Sequence, residues 1–247
     1  MNLLQSDSKK TSFEIFNRIA KSYDSVNRIL SFGLDVGWRN KVGALLPHGR
    51  NLRLLDLATG TADQVIMLCD SNQNIESAVG MDLSEEMLDI GRTKISRFNG
   101  KIRLETGDAV QLPIKDAQYD AITISFGIRN VADPLVSMRE MYRVLNDGGK
   151  ALILEFSLPK NPMIRLGHLF YLRRVLPLVG GLISGDYAAY KYLNTSIEEF
   201  PYGDAFCELL SEAGFEKVRA HPLTYGIATI YEACKIPSNV SSPREEL

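Results

Sequence analysis

Short apolar runs alternate with helical stripes along most of this chain. "LRLLDLA" (52–58) reads as a buried strand, and "TADQVIMLCD" after it as a helix. "SAVGMDL" (77–83) is a second strand, followed by a helix over "SEEMLDIGRTKISRF", where Ser84 is placed to cap the N-terminus. "IRLETGD" (102–108) and "YDAITISF" (119–126) make a third and a fourth strand. "DPLVSMREMYRVLN" (133–146) carries a helical stripe, with Asp133 as cap and Pro134 at the first helical position. "GGKALILEFS" (148–157) is a fifth strand, "DAFCELLSEAGF" a helix ending at Gly214, and "KVRAHPLT" and "GIATIYEACK" two further strands. Ahead of all this, residues 11–46 read as helical, with Phe13, Phe16, Ile19, Ala20 and Tyr23 at helical spacing. Strand and helix alternating at such short intervals predict an α/β fold, doubly wound around a mostly parallel sheet. Ligands of such sheets sit at the carboxyl ends of the strands, near the point where strand order reverses.

The 247 residues are expected to form a single domain over 1–240, with 1–50 and 158–200 as additions around the ligand-binding edge. Residues 237–247 are polar and proline-containing, and read as a disordered tail. With 28 basic and 30 acidic residues the net charge is −2, which gives no sign of nucleic-acid binding. Cys69, Cys207 and Cys234 are scattered, which points to a reducing, cytoplasmic setting and to neither disulfides nor a metal site. His48, His168 and His221 show no ligand spacing and read as structural or exposed. No secretory signal is evident at the N-terminus. No charge-free apolar stretch reaches about 18 residues, so nothing is expected to span a bilayer. The apolar segment 162–184 is interrupted by Arg165, Arg173 and Arg174, and reads first as a cover helix over the site.

The chemistry begins at "DLATGTAD" (56–63), where the first strand runs into a turn whose one glycine is Gly60. A triphosphate site would need G-x-x-x-x-G-K-[ST], which is absent from the sequence. A dinucleotide site would need G-x-G-x-x-G, and the second glycine is missing. Acids recur at matching places instead. Asp82 ends the second strand, where a carboxylate can accept both hydroxyls of a ribose, and Asp108 with Ala109 follows the third, where an adenine amino group can be read. A ligand with ribose, adenine and no phosphate is expected, and S-adenosylmethionine fits.

These stretches, with "RVLNDGGKALILEFS" (143–157), resemble class I S-adenosylmethionine-dependent methyltransferases. "YDSVNRILSFGLDVGW" (23–38) and "ISFGIRNVAD" (124–133) are similar to the signatures of the C-methyltransferases of menaquinone and ubiquinone biosynthesis. The resemblance covers roughly residues 13–234 and implies a seven-stranded Rossmann-like sheet with N-terminal helices. Its implied donor site comprises Gly60, Thr61, Asp82, Asp108, Ala109 and Ser125. Asp56 and Asp63 flank Thr61, and Asp63 equally suits a helix N-terminus. The implied reaction is C-methylation of demethylmenaquinol, with the benzoquinol step of the ubiquinone pathway, or both steps, as the alternative. The remoter rivals are another small-molecule methyltransferase and a non-catalytic scaffold. Arg129 would stabilise a quinol oxyanion and Asn130 would donate to a ring oxygen, although an ion pair with a neighbouring acid would also account for Arg129. Tyr23, Asp24 and Asn27 would belong to a lid formed by residues 1–50. The implied partner is a polyprenyl hydroquinone, so segment 162–184 is also expected to bind the tail or make peripheral contact with a membrane.

The chain departs from the signatures at Val26, Asp35, Asn146 and Asp147, where Met, His, Lys and Pro are usual. Val for Met is nearly neutral in packing terms. Asp35 reverses a possible charge and removes a potential base.

Overall fold

The computed structural model of the chain describes residues 24, 26–48 and 51–237. The helical spacing at Phe13 to Tyr23 and the tail over 238–247 lie outside the described residues.

Seven strands form one sheet: β1 (Leu52–Leu57), β2 (Ile75–Asp82), β3 (Ile102–Thr106), β4 (Tyr119–Ser125), β5 (Leu145–Phe156), β6 (Glu216–Leu223) and β7 (Ala228–Cys234). Their order is β3-β2-β1-β4-β5-β7-β6. β1 to β5 pair in parallel, and β7 runs antiparallel to both β5 and β6. From β1 the chain winds outward through β2 and β3, then returns to lay β4 on the other side of β1. Strand order therefore reverses between β1 and β4, and that is where a crevice opens.

The inner strands are apolar on both faces because both faces are covered. Leu55, Leu57, Ile122, Ile124 and Ile153 point into one buried layer with Met138, Met141 and Phe206. Leu52, Leu54, Ala121, Leu152 and Leu154 point into the other, with Trp38, Val42 and Leu68. Helices α1 (Leu34–Leu45) and α2 (Asp63–Ser71) cover the second layer. α3 (Glu85–Ile95) follows β2, while α4 (Pro134–Val144) covers the first layer. Ser84 accepts the Met87 N–H at 3.2 Å and caps α3, and the Asp133 carboxylate caps α4 through the Leu135 and Val136 N–H groups.

Beyond β5 the chain builds a cap before returning to the sheet. α5 (Pro162–Phe170) passes through a wide turn at Tyr171–Val175 into α6 (Leu176–Ser184), and α7 (Tyr187–Glu199) packs back against it. Gly180 makes this packing possible, since a Cβ there would lie 2.5 Å from the Tyr190 ring. Leu172, Leu176, Ala189 and Tyr190 form a third apolar cluster with Val26 and Leu30 of the N-terminal segment. α8 (Asp204–Glu212) then leads into β6 and β7. One reading of segment 162–184 needs correction. It is a continuous helical stretch of 23 residues with mean hydropathy 1.2, long and apolar enough to cross a membrane, because helix continues through the arginines. It exposes Met163, Leu166, Phe170, Leu178 and Leu182 while burying Leu172, Leu176 and Gly180, so only part of its surface is covered.

One buried acid fastens the crevice. Asp56, opposite Thr123 in the β1–β4 register, accepts hydroxyl hydrogen bonds from Thr123 and, at 2.7 Å, from Thr59. Burial still dominates and pushes its pKa from 3.8 up to about 6, with the two hydroxyls opposing. Between those values the folded chain holds a proton that the unfolded chain has lost, so stability falls as pH rises through the window. Comparing urea unfolding at pH 4 and pH 7 should show Asp56→Asn losing less stability over that interval than the parent, by on the order of 2–3 kcal/mol. Equal losses would mean that Asp56 titrates normally.

Candidate active site

Three cavities meet at the carboxyl ends of β1 to β4. The first lies between Gly60, Asp82, Asp108 and Ala109, under Met81, Leu83, Met87 and Val131. The second is small and polar, bounded by Thr59, Thr61, Asp63, Gln64, Asp35 and Arg39. Gly60 and Ser125 border both. The third is larger, about 310 Å³, mostly apolar, and roofed by α5, the wide turn and α7. It touches the first at Phe126 and Asn130 and the second at Asn27, Asp35 and Arg39.

The backbone is contorted where these cavities join. Ala58, Gly60, Ala62 and Phe126 all have positive φ, at 47°, 55°, 70° and 59°. Three of these are not glycine, and such strain is held only where the surroundings dictate it. At Gly60 a Cβ would meet nothing within 4 Å, so the glycine leaves open space above the turn. Gly127 serves close packing instead: a Cβ there would sit 2.4 Å from the Ala58 Cβ.

Asp82 holds the first cavity together. Its Oδ2 accepts the Gly60 N–H at 2.8 Å and its Oδ1 the Ser84 N–H at 2.9 Å. Burial raises its pKa, and these backbone donors oppose the rise. A carboxylate offers about four lone-pair sites, so accepting capacity remains for a ligand hydroxyl. Asp108 Oδ1 accepts the Val110 N–H at 3.0 Å, which turns the chain so that Ala109 is buried against the cavity. Ser125 donates to the Gln64 side-chain oxygen at 2.9 Å and borders both cavities.

Thr61 is placed differently. It borders the polar pocket alone, just ahead of α2, and its hydroxyl donates to Asp24 at 2.6 Å while accepting from Lys94 at 3.0 Å. Lys94 also binds Asp24, and Asp63 at 2.7 Å, so the N-terminal segment is tied to α2 and α3. Asp56 lies buried under the turn, where it lines the floor of the polar pocket and fixes Thr59.

The ion pair considered for Arg129 exists. Its Nη1 lies 2.6 Å from Glu155 Oε1 and 2.6 Å from the Phe126 carbonyl oxygen, and the guanidinium stacks 5.4 Å above Phe156. Both side chains are almost fully buried; burial raises the Glu155 pKa and the Arg129 charge opposes it. Asn130 stands at the joint of the first and third cavities, with the Tyr192 hydroxyl donating to its Oδ1 at 3.4 Å. Sequence reasoning passed over Glu155, Gln64, Lys94 and Arg39. Glu155 was findable, since it lies at the carboxyl end of an apolar strand as Asp82 does. The others lie inside helices, where no turn signal marks them.

The pattern of the ubiE/COQ5 methyltransferase family matches residues 4–235. The chain belongs to this family. A demethylmenaquinone methyltransferase of Thermus thermophilus is 43% identical over 217 residues, covering 88% of this chain and 98% of that one. A ubiquinone/menaquinone biosynthesis C-methyltransferase of Geotalea daltonii is 42% identical over 220 residues, covering 88% and 93%. A demethylmenaquinone methyltransferase of Bacteroides fragilis is 39% identical over 224 residues, covering 90% and 91%. Among solved structures, a methyltransferase of Thermotoga maritima described as a possible histamine N-methyltransferase superposes with a TM-score of 0.64. It is 20% identical and covers 91% of this chain and 99% of that one, which fixes the fold alone.

The chain is thus a methyltransferase whose methyl donor is S-adenosylmethionine, and its residues fit that donor. The open space over Gly60 and the two carboxylates suit a nucleoside. The polar pocket offers carboxylates for an ammonium, and Arg39 with the α2 N-terminus for a carboxylate. Asp82→Ala should therefore weaken S-adenosylhomocysteine binding about tenfold or more, as loss of a charge-assisted hydrogen bond implies. Titration calorimetry checks this. Unchanged affinity would make Asp82 only a fastener of the turn.

Proposed function

We propose that this enzyme methylates a ring carbon of a hydroquinone and turns demethylmenaquinol into menaquinol. One observation carries the reading: a largely apolar cavity of about 310 Å³ opens onto the donor site at Phe126 and Asn130, where polar groups gather. A bicyclic ring with an apolar tail suits such a space better than a charged amine does. The Thermus and Bacteroides relatives named for demethylmenaquinone support the naphthoquinol choice.

When bound, S-adenosylmethionine supplies a methyl on a positively charged sulfur. The protein's task is to exclude water, align the ring carbon and raise its electron density. Gly60, Thr61, Asp82, Asp108, Ala109 and Ser125 hold the donor in this proposal. Asn130 borders both donor and acceptor cavities. With its Oδ1 occupied by Tyr192, its amide nitrogen is the group that donates to a ring oxygen. Arg129 contributes a buried, already neutralised guanidinium beside the same cavity. Its assignment as a stabiliser of the quinol oxyanion stands as part of the proposal, acting through oriented N–H groups rather than an unpaired charge. Removing it alone would strand Glu155 as a buried charge. Asp24 and Asn27 form the inner edge of a lid.

The tail of such a quinol resides in lipid. Phe32, which lines the third cavity, is exposed, as are Met163, Leu166, Phe170 and Leu182 of the cap. Arg165 and Arg174 of the same helical stretch are exposed for anionic headgroups. The enzyme is proposed to rest peripherally on the cytoplasmic membrane surface by this face.

The decisive assay gives the enzyme reduced short-tailed demethylmenaquinol and S-adenosylmethionine and follows the product by mass spectrometry. One added methyl on the naphthoquinol ring is the expected result. Methylation of a benzoquinol alone would move the enzyme to the ubiquinone step, and transfer to neither would end the reading. In the same preparation Leu182→Asp should reduce co-sedimentation with anionic vesicles. Equal sedimentation of parent and variant would remove the membrane contact.

A further inference from the structure

Around the large cavity, three buried polar atoms lack a hydrogen-bond partner among the described residues: Arg39 Nε, Arg129 Nε and His168 Nε2. Folded proteins leave few such atoms, so three around one void ask for an explanation. A ligand with polar oxygens on an apolar body supplies it. The two guanidinium nitrogens can only donate. The imidazole nitrogen alone can take a proton.

We propose that His168 is the general base that accepts the ring-hydroxyl proton during methyl transfer. This rests on the hydroquinone reading above. His168 projects from α5 into the cavity roof, beside Gly167 and Ile164. Burial alone holds its pKa below the ordinary 6.5, so at pH 7 it is neutral. The carboxylates around the cavity are otherwise engaged. Asp35 accepts the Ser31 hydroxyl at 2.7 Å and lies 3.1 Å from Arg28, and Glu155 is paired with Arg129. The Tyr171 phenol donates to the Leu30 carbonyl oxygen at 2.6 Å, and Tyr192 faces Asn130. On the helix surface away from the cavity, Arg173 is paired with Glu198.

A neutral quinol carbon is a weak nucleophile. As its π electrons form the new carbon–carbon bond, the sulfur–methyl bond breaks and leaves its pair on sulfur. Positive charge would build on the hydroxyl oxygen. Instead the O–H bond breaks, its electrons close the carbonyl, and the proton passes to His168 Nε2. The methylated carbon then loses its own hydrogen to water while the imidazolium returns its proton to the carbonyl oxygen. The ring is aromatic again and one proton has been released overall.

Single-turnover methylation of short-tailed demethylmenaquinol between pH 5 and 8 tests this, with S-adenosylmethionine saturating. The parent rate should fall about tenfold per pH unit on the acid side of the His168 pKa. His168→Gln should be slower by on the order of a hundredfold or more at pH 8 and should lose that limb, while binding S-adenosylhomocysteine as tightly as the parent. Added imidazole should restore part of the rate to His168→Ala, which a purely structural role would not allow. A parent profile without the acid limb, or a His168→Gln enzyme that keeps the parent rate or the limb, overturns the assignment while leaving the hydroquinone reading intact. A parent enzyme that binds S-adenosylhomocysteine but methylates no quinol overturns both.

Discussion

The hydrogen bond from the Gly60 N–H to Asp82 ties the first strand–helix turn to the end of the neighbouring strand. Without it the crevice at the β1–β4 reversal would have no fixed wall. The bond places a carboxylate at the edge of the open space over Gly60, and through Ser84 it also sets where α3 begins. Asp56 anchors the other side of the same turn through Thr59 and Thr123. Both acids have raised pKa values because burial outweighs their donors. The turn between the first two cavities thus stands on two desolvated carboxylates, which cost stability and rigidify a backbone that needs positive φ.

The third cavity is built by other means. The cap places apolar side chains over the carboxyl edge of the sheet, and the sheet and the turn after β4 bring in Arg129, Asn130 and Glu155 from below. The Arg129–Glu155 pair is nearly dry, so its attraction offsets a large desolvation penalty rather than adding much net stability. Its consequence is geometric. It fixes the segment between β4 and α4, and with it Asn130, at the boundary between the first and third cavities.

Much of this was legible in the sequence because the relevant signals are local. Alternating strands and helices gave the sheet, the Ser84 and Asp133 caps marked helix starts, and strand-end acids pointed to Asp82 and Asp108. Thr61 was located correctly ahead of α2, but its engagement by Asp24 and Lys94 joins positions 33 and 37 residues away, which no local pattern records. The same limit hid the partner of Arg129, 26 residues on in the next strand. For segment 162–184 the reading relied on its arginines to break the apolar run. Helix tolerates them, because long cationic side chains reach outward from an apolar surface. Position 35 was judged by the chemistry lost with a histidine. In the fold its carboxylate borders the polar and apolar cavities and gathers Ser31, Arg28 and Arg39.

The central claim is that one donor cavity and one quinol cavity meet at Phe126 and Asn130. A crystal structure of the enzyme with S-adenosylhomocysteine and a short-tailed demethylmenaquinone tests it most directly. The account predicts the ribose at Asp82, the adenine beside Asp108 and Ala109, and the sulfur directed past Asn130. The unsubstituted ring carbon should then lie within methyl-transfer reach of the sulfur. A nucleoside lodged away from Asp82, or a quinone ring outside the cavity beneath α5 and α7, would contradict it.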